Sequence, residues 1–406
     1  MGDAIAMFNL TSLGQGEGGA LHQIALVRGF RACGWRVRLV VPRRAGRDQV
    51  PADLRDITWQ TPSVECMGLP RSLDSWLQIP ALVWLRLTGR ADILYIRANL
   101  FSWAVIAVAR LLGMYVISEH NGWSASERLA RGGGGLPVRL ETMAQVLVGR
   151  WSQRSRCVTA GIARLLIRHG VDPVRVFVVG NGVDTREMRP RRVPTVSGSA
   201  DRPVQLGFIG GLVRWQGIDT AIRALSLLED LPHLQLTIAG DGPERGRLEA
   251  LANDLGVSSR VTFLGYIPYQ RAAEVINSFD IALAPFTVER NAEIGLSPIK
   301  IRDYAAAGRI VVASGIEGIR DFESAGWLFT HRADDPDDLA TTIRRVMSMP
   351  PGDFAQRGAM AREYAQRHFD WNRIVDRIRE EMPESPKKTA PSTRPQDEPE
   401  SAKRDE

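Results

Sequence analysis

LGFIGGLVRWQGIDTAIRALSLL, residues 206–228, decides the fold. A short apolar run ends in glycines, turns through an Arg-bearing loop and enters the helical pattern of DTAIRALSLLEDL (219–231). That order predicts a strand, a tight loop and a helix packed back on the sheet. The same style recurs on both sides. WRVRLVV (35–41), ADILYI (91–96), MYVISEH (114–120), RCVTA (156–160) and RVFVVGNG (175–182) precede it. LQLTIAGDG (234–242), RVTFLGY (260–266), IALAPF (281–286) and RIVVAS (309–314) follow it. Strands alternating with amphipathic helices predict an α/β protein with doubly wound parallel sheets. RPRRVPTVSGSADRP (189–203) has no apolar periodicity and divides the runs into two sets. The expected organisation is one Rossmann-like domain over 1–190, a linker over 191–203 and a second Rossmann-like domain over 204–366. An amphipathic helix over 367–382 closes the fold. The polar, Pro-rich segment 383–406 is expected to be disordered. Ligands of such sheets sit beyond the carboxyl ends of the strands, so two facing sheets make a cleft.

The 406 residues exceed one ordinary core, and 44% hydrophobic content is that of a globular chain. The longest apolar stretch, residues 98–117, is interrupted by Arg110, which argues against a membrane span. The first 19 residues lack the layout of a signal peptide. Three scattered cysteines, Cys33, Cys66 and Cys157, argue against a disulfide framework or a zinc site and fit a reducing cytoplasm. The net charge of +6 is uneven: residues 1–192 hold 26 Arg, no Lys and 14 acids. A basic half suits an anionic partner or simply a solvated surface. WLQIPALVWLRLTGR (76–90) sets Trp76 and Trp84 in an apolar stretch flanked by Arg, as a membrane-surface helix or a buried one does. No nucleic-acid recognition module is present, so nucleic acid is not an expected partner.

Four strand ends carry unusual loops. GQGEGGALHQ (14–23) opens a helix with glycines whose bare N–H groups suit an anion. GGLVRWQG (210–217) repeats the arrangement and adds Arg214. EHNGW (119–123) places Glu119 and His120 directly after a buried strand, at a cleft edge. In EIGLSPIKIRDYAAAG (293–308), Ser297 and Pro298 read as N-cap and first helical residue. The N–H groups of Ile299 and Lys300 then lie at the positive end of the helix. Lys300 is the only lysine before residue 387, and it shares a helix face with Asp303.

Taken in order, these motifs resemble the GT-B glycosyltransferases of the retaining GT4 type, which use nucleotide-sugar donors. The resemblance spans roughly residues 14–380. It is carried by GGALHQIALVRGFRACGWRVRLVV, EHN, VFVVGNGVDTREMRP, the stretch quoted first, LTIAGDGPERGRLEALA, VTFLGYIP and GLSPIKIRDYAAAGRIVVAS. It implies a sugar transferase whose donor binds the second domain and whose acceptor binds the first, with no obligatory metal. It implies that Gly19, Gly211, Arg214, Gln216, Ser297, Ile299 and Lys300 surround the donor diphosphate. It further implies that Ile267 and Asp303 hold the nucleoside, and that His120 and Glu293 stand at the reacting sugar. The departing phosphate oxygen is expected to help deprotonate the acceptor.

Three departures bear on the donor site. The family's loop Arg and Lys are Gly211 and Gln216 here. The first Glu of its E-x7-E motif falls on Gly295, with Glu293 two residues earlier. The second Glu is shortened to Asp303. Lys300 and Arg214 are the expected replacement cations. A nucleotide-sugar isomerase or phosphorylase on the same fold, or a non-catalytic nucleotide-sugar-binding protein, is the competing expectation. A peripheral position on the inner membrane face is compatible with the basic first half.

Overall fold

The computed structural model describes residues 4–8, 18–43, 50–130, 132–197 and 202–382. The predicted tail 383–406 and residues 14–17 of the first glycine loop lie outside them. The first sheet comprises β1 (Ala4–Phe8), β2 (Arg36–Pro42), β3 (Thr58–Thr61), β4 (Ile93–Arg97), β5 (Tyr115–His120), β6 (Arg154–Cys157) and β7 (Val176–Val178). The second comprises β8 (Val204–Ile209), β9 (Leu234–Ala239), β10 (Val261–Gly265), β11 (Ile281–Ala284), β12 (Ile310–Ser314) and β13 (Leu328–His331). Their orders are β3-β2-β1-β4-β5-β6-β7 and β10-β9-β8-β11-β12-β13. The named strand pairs run parallel; Ile5, for instance, lies between Val37 and Ile93. Each order reverses beside its first strand, β1 or β8, which opens a crevice at that strand's carboxyl end.

In the first domain α1 (Gly18–Ala32) follows β1, while α2 (Leu136–Trp151) and α3 (Ala160–Arg168) flank β6. In the second, α4 (Ile218–Ser226) follows β8, and α5 (Val288–Ile294) and α6 (Ile299–Ala306) lie between β11 and β12. The opening stretch of the sequence therefore forms β8, its glycine loop and α4. Ile218, Ala221, Ile222 and Leu225 are buried at helical spacing, which pins α4 to the sheet. α3 begins at Thr159, whose hydroxyl accepts from the Ile162 N–H.

Two features refine the expected organisation. Residues 191–195 are tied to the second domain: Arg192 bonds Asp280 and the Asn277 carbonyl, and Thr195 N–H bonds Asp280. The closing helix α7 (Trp371–Glu380) returns to the first domain. Its Ile374, Val375 and Ile378 share one buried cluster with Ile24, Val27 and Phe30 of α1. Gly29 permits this approach, since a Cβ there would stand 2.6 Å from a Val375 methyl.

Candidate active site

The two crevices meet in a cleft of about 740 Å³ between the domains. α1, the loop after β5 and the segment after β7 form one wall; the loop after β8 and residues 291–303 form the other.

On the second-domain wall, Lys300 stands on the first turn of α6 and reaches the glycine loop after β8. Its Nζ donates to Gln216 Oε1 at 2.6 Å and lies 3.7 Å from the Phe208 ring centre and 5.3 Å from that of Phe286. Gly210 makes room, because a Cβ there would stand 2.7 Å from Nζ. Burial among these rings holds the amine well below the ordinary lysine range. Asp303, one turn on, is 6% exposed. Burial raises its carboxyl to about 8, with Arg302 opposing in part. Asp303 Oδ1 has no hydrogen-bond partner among the described residues. Ile267 and Tyr269 line the same wall.

Ser297 lines the cleft but does not cap α6. Pro298 occupies the cap position without a side-chain bond, and Ser297 Oγ instead accepts from Asn181 N–H at 3.2 Å and Arg302 Nη2 at 3.0 Å. It thereby joins the segment after β7 to the start of α6. Ile299 lines the cleft beside it.

Other expected residues stand elsewhere. Of the turn after β8, Gly210, Trp215 and Gln216 line the cleft, while Gly211 and Arg214 are exposed. Gly19 lies in the first turn of α1, and His22, one turn later, lines the cleft. Glu293 is exposed on α5, where Asn291 and Ile294 face the cleft instead. His120 is fully buried; its Nε2 lies 3.0 Å from Ser118 Oγ and its Nδ1 3.4 Å from Gln145 Nε2 on α2. Burial lowers it to about 4, so it is neutral. The cause is strand parity: successive residues of β5 point to opposite faces, so His120 turns toward α2 and Glu119 toward α1.

Glu119 is the centre of a buried polar group. It receives His22 Nε2 at 2.9 Å and Arg156 Nη1 at 2.7 Å, as well as Tyr95 Oη and Asn121 Nδ2. Arg156 also donates to the Val179 and Gly180 carbonyls. Burial alone would raise the Glu119 carboxyl; the charges and hydrogen bonds around it prevail and hold it well below the usual carboxylate range. His22 and Asn121 present this group to the cleft. Asn181 and Asn291 also line it, and neither Oδ1 has a partner among the described residues. These unpartnered amide oxygens can accept from hydroxyl groups.

Two parallel α/β sheets facing across a cleft, with a lysine and a helix start aimed at a glycine loop, define a GT-B protein. The family description "Glycosyltransferase Family 4" matches residues 16–187 and "Glycosyl transferases group 1" matches residues 203–349. The chain belongs to this glycosyltransferase family. It is 27% identical to the 2-deoxystreptamine glucosyltransferase of Streptomyces kanamyceticus, over 70% of this chain and 76% of that one. It is 30% identical to the D-inositol 3-phosphate glycosyltransferase of Mycolicibacterium gilvum, over 53% and 48%. The latter match spans about half of that relative's length. The structure of Anabaena Alr3699/HepE in complex with UDP superposes with a TM-score of 0.69 at 16% identity, over 93% of this chain and 98% of that one. WaaG, a glycosyltransferase involved in lipopolysaccharide biosynthesis, gives 0.67 at 16% identity, over 92% and 98%. At such identities the superpositions speak to the fold.

Proposed function

We propose that the chain moves a sugar from a nucleotide-diphosphate sugar, with retention, to a hydroxyl acceptor held by the first domain. The observation that carries this reading is Lys300: a buried amine with no ion pair among the described residues, placed at the glycine loop and at the start of α6. A diphosphate between the loop and the helix start meets the ammonium and the N–H groups of Ile299 and Lys300. Lys300 thus takes over from the loop Arg and Lys that Gly211 and Gln216 replace. Ile267 and Asp303 hold the nucleoside, and the amides of Asn181 and Asn291 read the sugar. Charge on the leaving group is met by these donors without an obligatory metal. Anabaena Alr3699/HepE, solved with UDP and with UDP-glucose, makes uridine the first base to test.

On the first domain Trp59, Trp76, Trp84 and Trp151 are exposed, as are Leu87 and Leu111, and Trp59 packs edge-on against Trp84 at 5.0 Å. Arg90 lies 4.4 Å over Trp84. This face suits an anionic bilayer, which would place the protein on the cytoplasmic side of a membrane beside a glycolipid or surface-glycan acceptor.

Thermal shift with UDP, GDP and their sugars tests the donor site. One of these ligands should raise Tm. Lys300→Ala should cut kcat/KM for that donor about 100-fold, and EDTA should leave the wild-type rate unchanged. An unaltered kcat/KM in the variant would remove Lys300 from the diphosphate site.

A further inference from the structure

A second cavity, of about 280 Å³, lies between the domains and shares Asn181 and Ser297 with the cleft. Gly180 and, on α7, Arg377 line it from the first domain; Arg302 and Asp321 line it from the second. It sits where the chain passes between the domains, out after β7 and back through the π-helical turn Ala365–Phe369. The Val183 N–H donates to the Phe369 carbonyl at 2.8 Å and ties the two passages together. Phe322, Tyr364 and Phe369, packed edge-on against one another, give the cavity an apolar side.

The charges lining this cavity are not balanced. Arg302 is 5% exposed, and its guanidinium meets neutral acceptors, the Pro298 carbonyl at 2.9 Å and Ser297 Oγ at 3.0 Å. Its Nε has no hydrogen-bond partner among the described residues, and the Phe369 ring lies 5.0 Å from its central carbon. Burial lowers this guanidinium only to about 10, so it is charged at neutral pH. The adjoining Asp303 carboxyl, at about 8, keeps its proton there. A buried charge without a counterion is costly. Arg377, exposed at the rim, donates to the Val178 carbonyl at 3.5 Å and forms no ion pair among the described residues. His368 is exposed on the same rim. Of the carboxylates, Glu317 is taken up by Arg164, which leaves Asp321 to offset two guanidinium groups.

We propose that this cavity binds a small phosphate-bearing molecule, with the phosphate between Arg302 and Arg377 and the body against the aromatic side. Guanidinium is the side-chain group whose paired N–H donors match phosphate oxygens. The two guanidinium groups belong to different domains, so an occupant favours the arrangement that brings them together. The donor cleft spans the same two domains, and its occupation is therefore strengthened by the second ligand. That coupling, unlike the phosphate site itself, rests on the sugar-transfer reading.

Calorimetric titration with phenyl phosphate, inorganic phosphate and UDP tests both parts. Phenyl phosphate should bind the wild type, and Arg377→Ala should weaken it about tenfold while leaving UDP affinity within about twofold. His368→Ala, on the same rim, should weaken it severalfold. Lys300→Ala should do the reverse, weakening UDP and sparing phenyl phosphate. Inorganic phosphate binding as well as phenyl phosphate would assign the site to the free anion, and weaker binding would assign it to a monoester. Saturating phenyl phosphate should tighten UDP binding about threefold in the wild type and not in Arg377→Ala. A wild type that binds neither phosphate compound at 10 mM overturns the proposal. So does phenyl phosphate binding that Lys300→Ala removes, because the probe then sits in the donor cleft. UDP affinity that phenyl phosphate leaves unchanged or lowers overturns the coupling. A protein that binds phenyl phosphate in the expected pattern but no nucleoside diphosphate overturns the transfer reading and leaves the phosphate site standing.

Discussion

A buried amine lying between two phenyl rings is a costly arrangement that an incoming anion relieves. Asp303 beside it poses the opposite case. Its carboxyl titrates at about 8 in the folded chain against 3.8 for the free group. Between those values the folded state binds a proton that the unfolded state releases, so stability is full below about pH 4 and falls as pH rises to about 8. Asp303→Asn imitates the protonated form and escapes that loss. Its Tm should therefore exceed the wild type's by a margin that widens from pH 4 to pH 8 and then levels, as calorimetric scans would show. Lys300, Asp303 and Ile267 were legible in the sequence because each sits where a strand ends or a helix begins, and such positions face a crevice whatever the packing. Glu119 and His120 were a matter of parity: the sequence placed both at the end of β5 but not which of them faced α1. His22 carried no signal, since 97 residues separate it from its carboxylate and only the packing of α1 on β5 joins them.

At the scale of elements, the domains meet through backbone as well as side chains. Thr159, the cap of α3, donates its hydroxyl to the Ile294 carbonyl at the end of α5. Ile294 itself sits in a buried cluster with Ile162 and Leu165 of α3. Arg164 on the same helix pairs with Glu317 of the second domain, Nη1 to Oε1 at 2.7 Å. Gly161 lets the segments touch: a Cβ there would stand 2.4 Å from the Ile294 carbonyl carbon and 2.5 Å from the Glu293 oxygen, both backbone atoms that cannot swing aside. Gly161→Ala should hold the domains apart. The expected result is a larger radius of gyration by solution scattering, with circular dichroism unchanged and turnover down at least tenfold. An unchanged radius with full turnover would mean that the contact is dispensable. Ten of the thirteen strands among the described residues were readable because parallel sheets buried on both faces need apolar runs, whereas β1, β3 and β13 were not read, the last two being short edge strands. The start of α6 was read one residue early. Ser297 looks like an N-cap by type, yet its hydroxyl is engaged by Asn181 and Arg302 from the segment after β7 and from within α6.

For the whole molecule, charge and shape agree. The basic half is the one with the aromatic surface. In it Trp76 packs against Trp103, and Trp103 against Trp151, at centroid distances of 6.5 and 6.3 Å. Among the described residues no helix is long and apolar enough to cross a membrane. Co-sedimentation with phosphatidylglycerol vesicles should be strong at low salt and weaker at 0.5 M NaCl, and Trp84→Ala with Arg90→Ala should reduce it severalfold. Equal binding to neutral and anionic vesicles would refute the charge argument. The division into two sheets was plain in the sequence, whereas the allegiance of the last helix was not, because an amphipathic pattern does not say which surface it covers. That allegiance has a consequence for synthesis. A ribosome completes the seven strands of the first sheet about midway through the chain, but α7, which seals α1 and packs Trp371 against His22, is translated some two hundred residues later. The domain begun first is thus finished last, and its interior and its wall of the cleft await the same late segment.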